Sequence, residues 1–410
     1  MFHLTARDIR RRNRFSVLQA VYAAEGHISR QEIATATGLS FATVGNMITE
    51  LIDVGVLAEQ GHDASSGGRP RAQLVVNPGR GLLVGVDIAE TAVDVELFDL
   101  SMTVLRSAHL PVDPSATKPH DLADLIAHGV AEVVGADVER VLGVGVSVPG
   151  LVEPEGGVSV FSPYWSWRDV PFRTMLSERV PHRLFLDNPL KASTVAELWF
   201  GAGRDVDDLI VVTLRAGVGV GIVVDGSLYR GVSNSAGEWG HTTLILDGRL
   251  CRCGRRGCVE AYVGAPGIVE TLREIAPDSP LLKADDADTI AALATAASDG
   301  GKAVADVIDR TGRYLGVSIA TLINLFNPRT IVFGNLVATH LGERLLQTAR
   351  RVAAEQAFSD PFNRVTLRLS ALTDNPVTLG AATFALEGFL ADRETFGSVG
   401  ARRAAKTAAP

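Results

Sequence analysis

The sequence predicts a mixed α/β protein in which an N-terminal winged helix-turn-helix precedes a larger, two-lobed α/β body. Three observations point to it. The first 77 residues hold three amphipathic helical stretches and then a hairpin with a Gly/Ser-rich tip. From Gly81 the pattern changes to apolar, glycine-punctuated strands that recur in two similar halves. All three cysteines of the 410-residue chain fall inside one run of eight, "CRCGRRGC", from Cys251 to Cys258. The expected limits are 1–77 for the first domain, with a basic N-terminal arm, 82–390 for the body, and 391–410 for a flexible tail.

In "RNRFSVLQAVYAAEG", Phe15, Leu18, Val21 and Tyr22 sit at helical spacing, and Gly26 ends the helix. In "SRQEIATATG", Ser29 with Glu32 three residues on forms a capping box. Ile33 and Ala36 give that helix its inner face, and Gly38 stops it. In "SFATVGNMITELIDVG", Ser40 is the N-cap, and Val44, Ile48 and Leu51 point inward. Two helices joined by a short glycine turn, behind a supporting helix, make a helix-turn-helix. "VLAEQGHDASSGGRPRAQLVVN" then reads as two strands around a polar tip, a wing, with Arg69 and Arg71 flanking Pro70. Glycine lets backbone lie close to DNA, and Arg is favoured in a narrow, electronegative minor groove. A solvated hairpin on a small protein-interaction module would share this pattern.

The second helix of the motif carries no Lys or Arg between Ser40 and Gly55. Its groove-facing candidates are Phe41, Ala42, Thr43, Gly45 and Asn46, which suit contacts to thymine methyls and an Asn–adenine pair. Phosphate affinity then falls to the wing and the arm. In the arm Arg7, Arg10, Arg11, Arg12 and Arg14 face Asp8 alone, with Arg11 and Arg12 as candidate contacts. Residues 1–75 hold eight Arg against seven Asp and Glu; with a net charge of −8, the other 335 residues carry −9. A polyanion partner therefore suits the first domain and not the body.

The apolar fraction of 46% is enough for a large core. There is no signal-peptide pattern and no apolar run of about 18 residues, so a cytoplasmic protein without a membrane partner is expected. In the body, "GLLVGVDIAETAVDVELFDL" reads as two strands joined by a tight turn, and "VLGVGVSVPGLV" as another strand. "LIVVTLRAGVGVGIVVDG" repeats the strand–turn–strand, and "TLINLFNPRTIVFGN" runs from helix into strand. Gly-rich or acidic turns after buried strands, twice over, suggest a duplicated α/β fold with a cleft between lobes.

The cysteine run points to a metal. A disulfide would leave one thiol over and close a loop too short to constrain much chain. Thiolates in a tight turn can converge on one ion, and Gly254 and Gly257 let the backbone fold around it. Structural zinc takes four Cys or His ligands, and His241 of "AGEWGHTTL" lies ten residues upstream, across a segment that could turn back as strand and loop. The expected cofactor is Zn(II), held by His241, Cys251, Cys253 and Cys258 in a closed, structural site. Buried thiols without metal remain the alternative.

The motifs "GLSFATVGNMITEL", "SSGGRPR", "SVPG", "WRDVP", "AELWFGAG", "AGEWGH" and "CRCGRRGCVE" stand in the order of the ROK family, named for repressors, open reading frames and sugar kinases. The resemblance covers roughly residues 13–390. It implies an actin-like (sugar kinase/ribonuclease H-like) two-lobed fold, a zinc site, a sugar pocket and a homodimer or higher homo-oligomer. A winged helix in front resembles the transcription-factor branch, whose partner is double-stranded operator DNA.

Departures from the kinase pattern are specific. The family's Asp-x-Gly-Gly-Thr-Lys phosphate loop reads "DIAETA" here, where Glu90 would repel phosphate and Ala92 replaces the lysine. The second loop reads "RAG", with Arg215 and Ala216, and the nucleotide-end Gly-Gly becomes Gly334-Asn335. The catalytic base, eight residues before Glu197, falls on Pro189. Phosphoryl transfer to a sugar hydroxyl needs a carboxylate there. Asp187, on the other side of Asn188, could serve only if the loop shifted, so no enzyme is expected. The resemblance assigns Glu238, His241 and Glu260 to sugar hydroxyls, with Gly150 and Asn188 also toward the ligand. The same residues could simply brace the zinc loop, and the family's Asn before "WRDVP" falls on Tyr164. The expected function is a sugar-responsive transcriptional regulator, a repressor. Its rivals are a ligand-independent regulator with a vestigial pocket and a sugar kinase with an appended DNA-binding domain.

Overall fold

The winged helix is built from α1 (Ala6–Ala23), α2 (Arg30–Thr37), α3 (Phe41–Asp53), β1 (Leu57–His62) and β2 (Ala72–Val76). The structure, a computed structural model, describes residues 5–62, 72–113, 115, 117–162, 164–204, 206–372, 375–392 and 395–396. The expected caps are in place. Ser29 and Glu32 form a capping box, Gly38 ends α2 in the left-handed region at φ 66°, and Ser40 caps α3 by accepting from Thr43 N. Val44, Ile48 and Leu51 are fully buried, as are Leu18 and Val21 of α1. The wing strands pair antiparallel, Leu57 opposite Val76. Arg69 and Arg71, at the expected tip, lie outside the described residues.

Two features of α1 differ from the sequence reading. The basic residues are not an extended arm: α1 starts at Ala6, where Thr5 and Asp8 make a capping box. Arg14 is 6% exposed, and its guanidinium reaches Glu50 Oε2 in α3 at 3.2 Å. Arg10 holds the other oxygen of Glu50, donating from Nε at 3.0 Å. Arg10 and Arg14 thus tie α1 to α3, and Arg11 stays about half exposed.

The chain divides into two compact units, one of residues up to Phe200 plus those from Asn375 on, the other Gly201–Asp374. In the first, β3 (Leu82–Ile88), β4 (Ala92–Asp99) and β5 (Val104–Pro111) form an antiparallel meander. After α4 (Pro119–Val134), β6 (Val141–Ser147) joins parallel to β3. A small antiparallel sheet follows, of β7 (Leu151–Glu153), β8 (Val158–Ser162) and β9 (Trp167–Val170). Then come α5 (Phe172–Ser177), β10 (Leu184–Asp187), parallel to β6, and α6 (Pro189–Phe200).

The second unit repeats the plan. Its meander is β11 (Leu209–Leu214), β12 (Val218–Val224) and β13 (Ser227–Leu228). Next are α7 (Glu260–Val263), α8 (Ala265–Ile275), α9 (Asp286–Ala296) and the long α10 (Lys302–Phe326). β14 (Thr330–Gly334) joins parallel to β11; α11 (Leu336–Gln356) and α12 (Ser359–Arg364) lead to β15 (Thr366–Leu369), parallel to β14. The sheet orders, β5-β4-β3-β6-β10 and β13-β12-β11-β14-β15, are the same walk taken twice. That is the duplication expected from the glycine-punctuated strands. Among the described residues no helix is long and apolar enough to cross a membrane.

The last helix, α13 (Pro376–Ala391), returns to the first unit and packs on β3, β6 and α6. The approach is closest at Gly145, where a Cβ would meet Ala381 O at 1.7 Å. The end of α13 receives the winged helix: Arg14 donates to Leu390 O, and its guanidinium lies 3.7 Å from the centre of the Phe396 ring. Phe15 and Tyr22 of α1 pack against Trp199 of α6, with ring centres 5.9 and 6.0 Å apart, and Tyr22 donates to Leu100 O. Trp199 is 1% exposed and donates from Nε1 to Glu387 of α13 at 3.0 Å. Removing one member of a buried ion pair strands the other charge. Arg14→Ala should therefore lower the urea-unfolding free energy of this unit by about 3 kcal/mol, read from a shifted midpoint; Arg11→Ala, on the exposed side, should leave it within about 0.5 kcal/mol.

Candidate functional site

The cysteine run lies in an irregular loop that follows β13 and packs back on β12. The short 3-10 turn Glu238–His241 is seated on that strand: Val220 N donates to Gly237 O at 3.0 Å. A Cβ on Gly240 would sit 1.9 Å from Val218 O, so the turn needs glycine there. Trp239 between them is 6% exposed and anchors in the core. The segment after His241 is not the strand the sequence suggested. It is a loop held by single bridges, Thr243 to Cys258 and Leu250 to Arg256. Gly257 turns it back at φ 76°, where a Cβ would fall 1.7 Å from Ile245 O.

This path brings the four expected ligands together. One donor atom each from His241, Cys251, Cys253 and Cys258 lie within 4.8 Å of one another. Cys253 and Cys258 Sγ are 3.7 Å apart, and Cys251 Sγ is 3.7 Å from His241 Nδ1. Zinc–sulfur bonds of ~2.3 Å at tetrahedral angles give edges of roughly 3.8 Å, so the cluster has the size of an ion cage. Burial pushes the Cys251 and Cys258 thiols up. Burial acts the same way on Cys253, but hydrogen bonds from the backbone and side chain of Arg255 outweigh it and bring that thiol down to about 7. A soft divalent ion that displaces the protons is the ordinary solution for such a set.

Glu260 begins α7 beside the cluster and is 8% exposed. Its Oε2 accepts from Val218 N at 3.0 Å, and Cys251 Sγ lies 3.4 Å from Oε1. Glu260 therefore braces the metal loop against β12. Glu238 is exposed and His241 half-buried at the two ends of the 3-10 turn. Sequence reasoning missed the Val218 N–H, because a backbone donor leaves no trace in residue type.

The remaining expected ligand residues belong to the first unit. Gly150 follows β6 at φ 87°. Asn188 is 4% exposed and caps α6, its Oδ1 accepting from Lys191 N at 2.9 Å. Pro189 is the first residue of α6, and Asp187 Oδ1 is turned onto Asn188 N at 2.9 Å. Where the family's kinases have a phosphate loop, β3 and β4 are joined by a plain hairpin, closed by Ala89 N donating to Ala92 O at 2.9 Å. In the winged helix, Phe41 is 56% exposed, and Ala42 and Asn46 are also exposed at the start of α3. Thr43 is partly buried, with its hydroxyl 2.8 Å from that of Ser40. Arg12 is exposed on α1.

Residues 83–387 match the ROK family. The chain belongs to the ROK family. It is 30% identical over 367 residues to the xylose repressor of Bacillus subtilis strain 168, covering 88% of this chain and 92% of that protein. It is 32% identical over 311 residues to the transcriptional dual regulator NagC of Escherichia coli K12, covering 75% and 76%. A solved ROK transcriptional regulator, a homologue of the E. coli MLC protein, superposes with a TM-score of 0.76 at 25% identity, over 93% of this chain and 97% of that one. A ROK glucokinase of Streptomyces griseus, solved with glucose and AMPPNP, gives 0.65 at 27% identity over 75% of this chain and 100% of its own. The body is thus shared by regulators and kinases of the ROK family, and the match that spans almost the whole chain is to a regulator. The glycine turn of the metal loop admits no side chain, so Gly257→Ala should destabilise the second unit by about 2 kcal/mol or more, seen as a lowered midpoint in thermal unfolding followed by far-UV circular dichroism.

Proposed function

We propose that this ROK protein is a sugar-responsive transcriptional repressor that binds operator DNA through residues 1–77 and a sugar through residues 82–390. The observation that carries the reading is a winged helix joined to a ROK body in which the position of the kinase base has become Pro189, the first residue of a helix. With no carboxylate there and a plain hairpin in place of the phosphate loop, the body keeps a fold for binding sugar and lacks the means to phosphorylate it.

On the DNA side, Arg11 and Arg12 of α1 and Arg69 and Arg71 of the wing meet phosphates and the minor groove, while Phe41, Ala42, Thr43 and Asn46 face base edges. A homodimer would present two such surfaces to a pseudo-palindromic operator. On the ligand side, Glu238, His241 and Glu260 are the second unit's candidates for contact with sugar hydroxyls, and Gly150 and the side-chain amide of Asn188 are the first unit's candidates. His241 turns Nδ1 to the thiols, which leaves Nε2 for the ligand. Zinc is the ion that suits three thiolates and an imidazole, and its part is structural. α6 gives a physical route for the signal: its first residue follows Asn188, and its Trp199 carries Phe15 and Tyr22 of α1.

Purified protein should carry about one zinc per chain, measured by plasma emission spectroscopy. Cys253→Ser and Cys258→Ser should each lose it, and retention in both would refute the assignment. For the function, a fluorescent operator fragment is titrated with protein in the presence of xylose, N-acetylglucosamine and glucose. One sugar should weaken DNA binding by roughly 5–150-fold, the range of a 1–3 kcal/mol coupling. Glu238→Ala should bind the fragment as wild type does but ignore the sugar. Sugar-independent DNA binding across a wider panel would leave a vestigial pocket, and ATP turnover coupled to any of these sugars would restore the kinase reading.

A further inference from the structure

The three thiols of the metal loop are not equivalent. Cys251 and Cys258 are 4% and 1% exposed, whereas Cys253 is partly open to solvent. Cys253 stands at the tip of a tight turn, closed by Gly254 N donating to Cys251 O at 2.9 Å and Cys251 N donating to Arg255 O at 2.8 Å. Arg252, Gly254, Arg255 and Arg256 around it are exposed. A small polar reagent arriving from water therefore meets Cys253 first.

The thiols also face different partners. Cys251 Sγ lies 3.7 Å from His241 Nδ1 and 3.4 Å from Glu260 Oε1. Cys253 Sγ lies 3.7 Å from Cys258 Sγ. A disulfide needs its sulfurs at ~2.05 Å, so one of that pair has to move. Cys258 is the fixed member. It bridges to Thr243, Val259 N beside it donates to Thr242 O at 3.0 Å, and Gly257 before it sits against Ile245 O. Cys253 is the movable one. Gly254 follows it at φ 86°, and a Cβ there would meet nothing within 4 Å.

We propose that Cys253 and Cys258 are a redox-active pair, which hydrogen peroxide or another hydroperoxide converts to a disulfide with release of the loop's metal ion. The Cys253 sulfur attacks one peroxide oxygen, the O–O bond breaks, and a sulfenic acid and one water result. The Cys258 sulfur then attacks the Cys253 sulfur, the S–O bond breaks, and a second water leaves. Two thiols and one peroxide thus give one disulfide and two waters, each sulfur losing one electron and the peroxide gaining two. The bridge withdraws two of the four ligands, and His241 with Cys251 alone are too few for a structural zinc site. The release of the ion rests on the zinc assignment above; the pairing of the thiols does not.

The test uses the arginines of the run. Trypsin cuts after Arg249, Arg252, Arg255 and Arg256, so each cysteine falls in its own peptide. The full chain, reduced and then freed of reductant, is treated with a small excess of hydrogen peroxide, alkylated, digested and read by mass spectrometry, while a chromogenic chelator records zinc. The main product should be the Cys253–Cys258 linked peptide, with about one zinc released per chain and both changes reversed by dithiothreitol and zinc. Cys251→Ser should form the same bridge, and Cys258→Ser should leave a Cys253 sulfenic acid that dimedone traps. A dominant bridge through Cys251, a wild-type Cys253 carried on to sulfinic acid, or three thiols that all still alkylate after peroxide would overturn the pair. These outcomes are read on the wild-type chain, so they stand whether or not the variants fold. A bridged chain that keeps its zinc would overturn the release. The same bridge in a chain purified without zinc would support the pair and refute the ion.

Discussion

The first unit is organised around one buried guanidinium. Arg14 reaches Glu50 on α3, the last turn of α13 and the Phe396 ring. Burial lowers its proton affinity, and the hydrogen bond to Glu50 works against that loss. A pair like this adds little net stability, because desolvating both charges costs about as much as their attraction returns. What it supplies is geometry. A planar fork with fixed donors can satisfy a carboxylate and a carbonyl in one orientation, and an apolar contact of the same size would allow several. α3 is therefore docked through α1 on the rest of the first unit and not tethered to it. Trp199 completes the seat from α6, the helix that Asn188 caps.

The metal loop solves a different problem. Between His241 and Glu260 the chain has almost no regular structure, only single bridges and turns forced by glycine. Such a loop loses much conformational entropy on ordering and buries little apolar surface in return. The proposed tetrahedral ion would close that gap, since its binding free energy would become folding free energy. The same loop brings His241 to the thiols, and Glu260 holds its end against β12.

Much of this was legible in the sequence because the signals are local. Ser29 with Glu32, Gly38 and Ser40 cap helices through neighbours within three residues, and the ligand cluster needed only spacing and thiol chemistry. The strand–turn–strand repeats announced the duplication. What could not be read has partners far along the chain. Phe15 and Tyr22 fit the apolar stripe of α1, yet they face Trp199, more than 170 residues on. Arg10 and Arg14 looked like part of a phosphate-binding arm because Glu50 is invisible to local charge counting.

The changes that separate this chain from a kinase also show why the fold survived them. Pro189 removes a carboxylate, but proline at the first position of a helix gives up no hydrogen bond and presets the backbone angle. With Asn188 as cap, α6 loses nothing by the exchange. Asp187, on the other side of Asn188, accepts from Asn188 N at its Oδ1 and is 2% exposed. At the β3–β4 turn, Ala89 gives its N–H to Ala92 O within the hairpin, a donor that is then not open to a phosphate. α6 itself joins the Asn188 cap at its start to Trp199, on which Phe15 and Tyr22 of α1 pack.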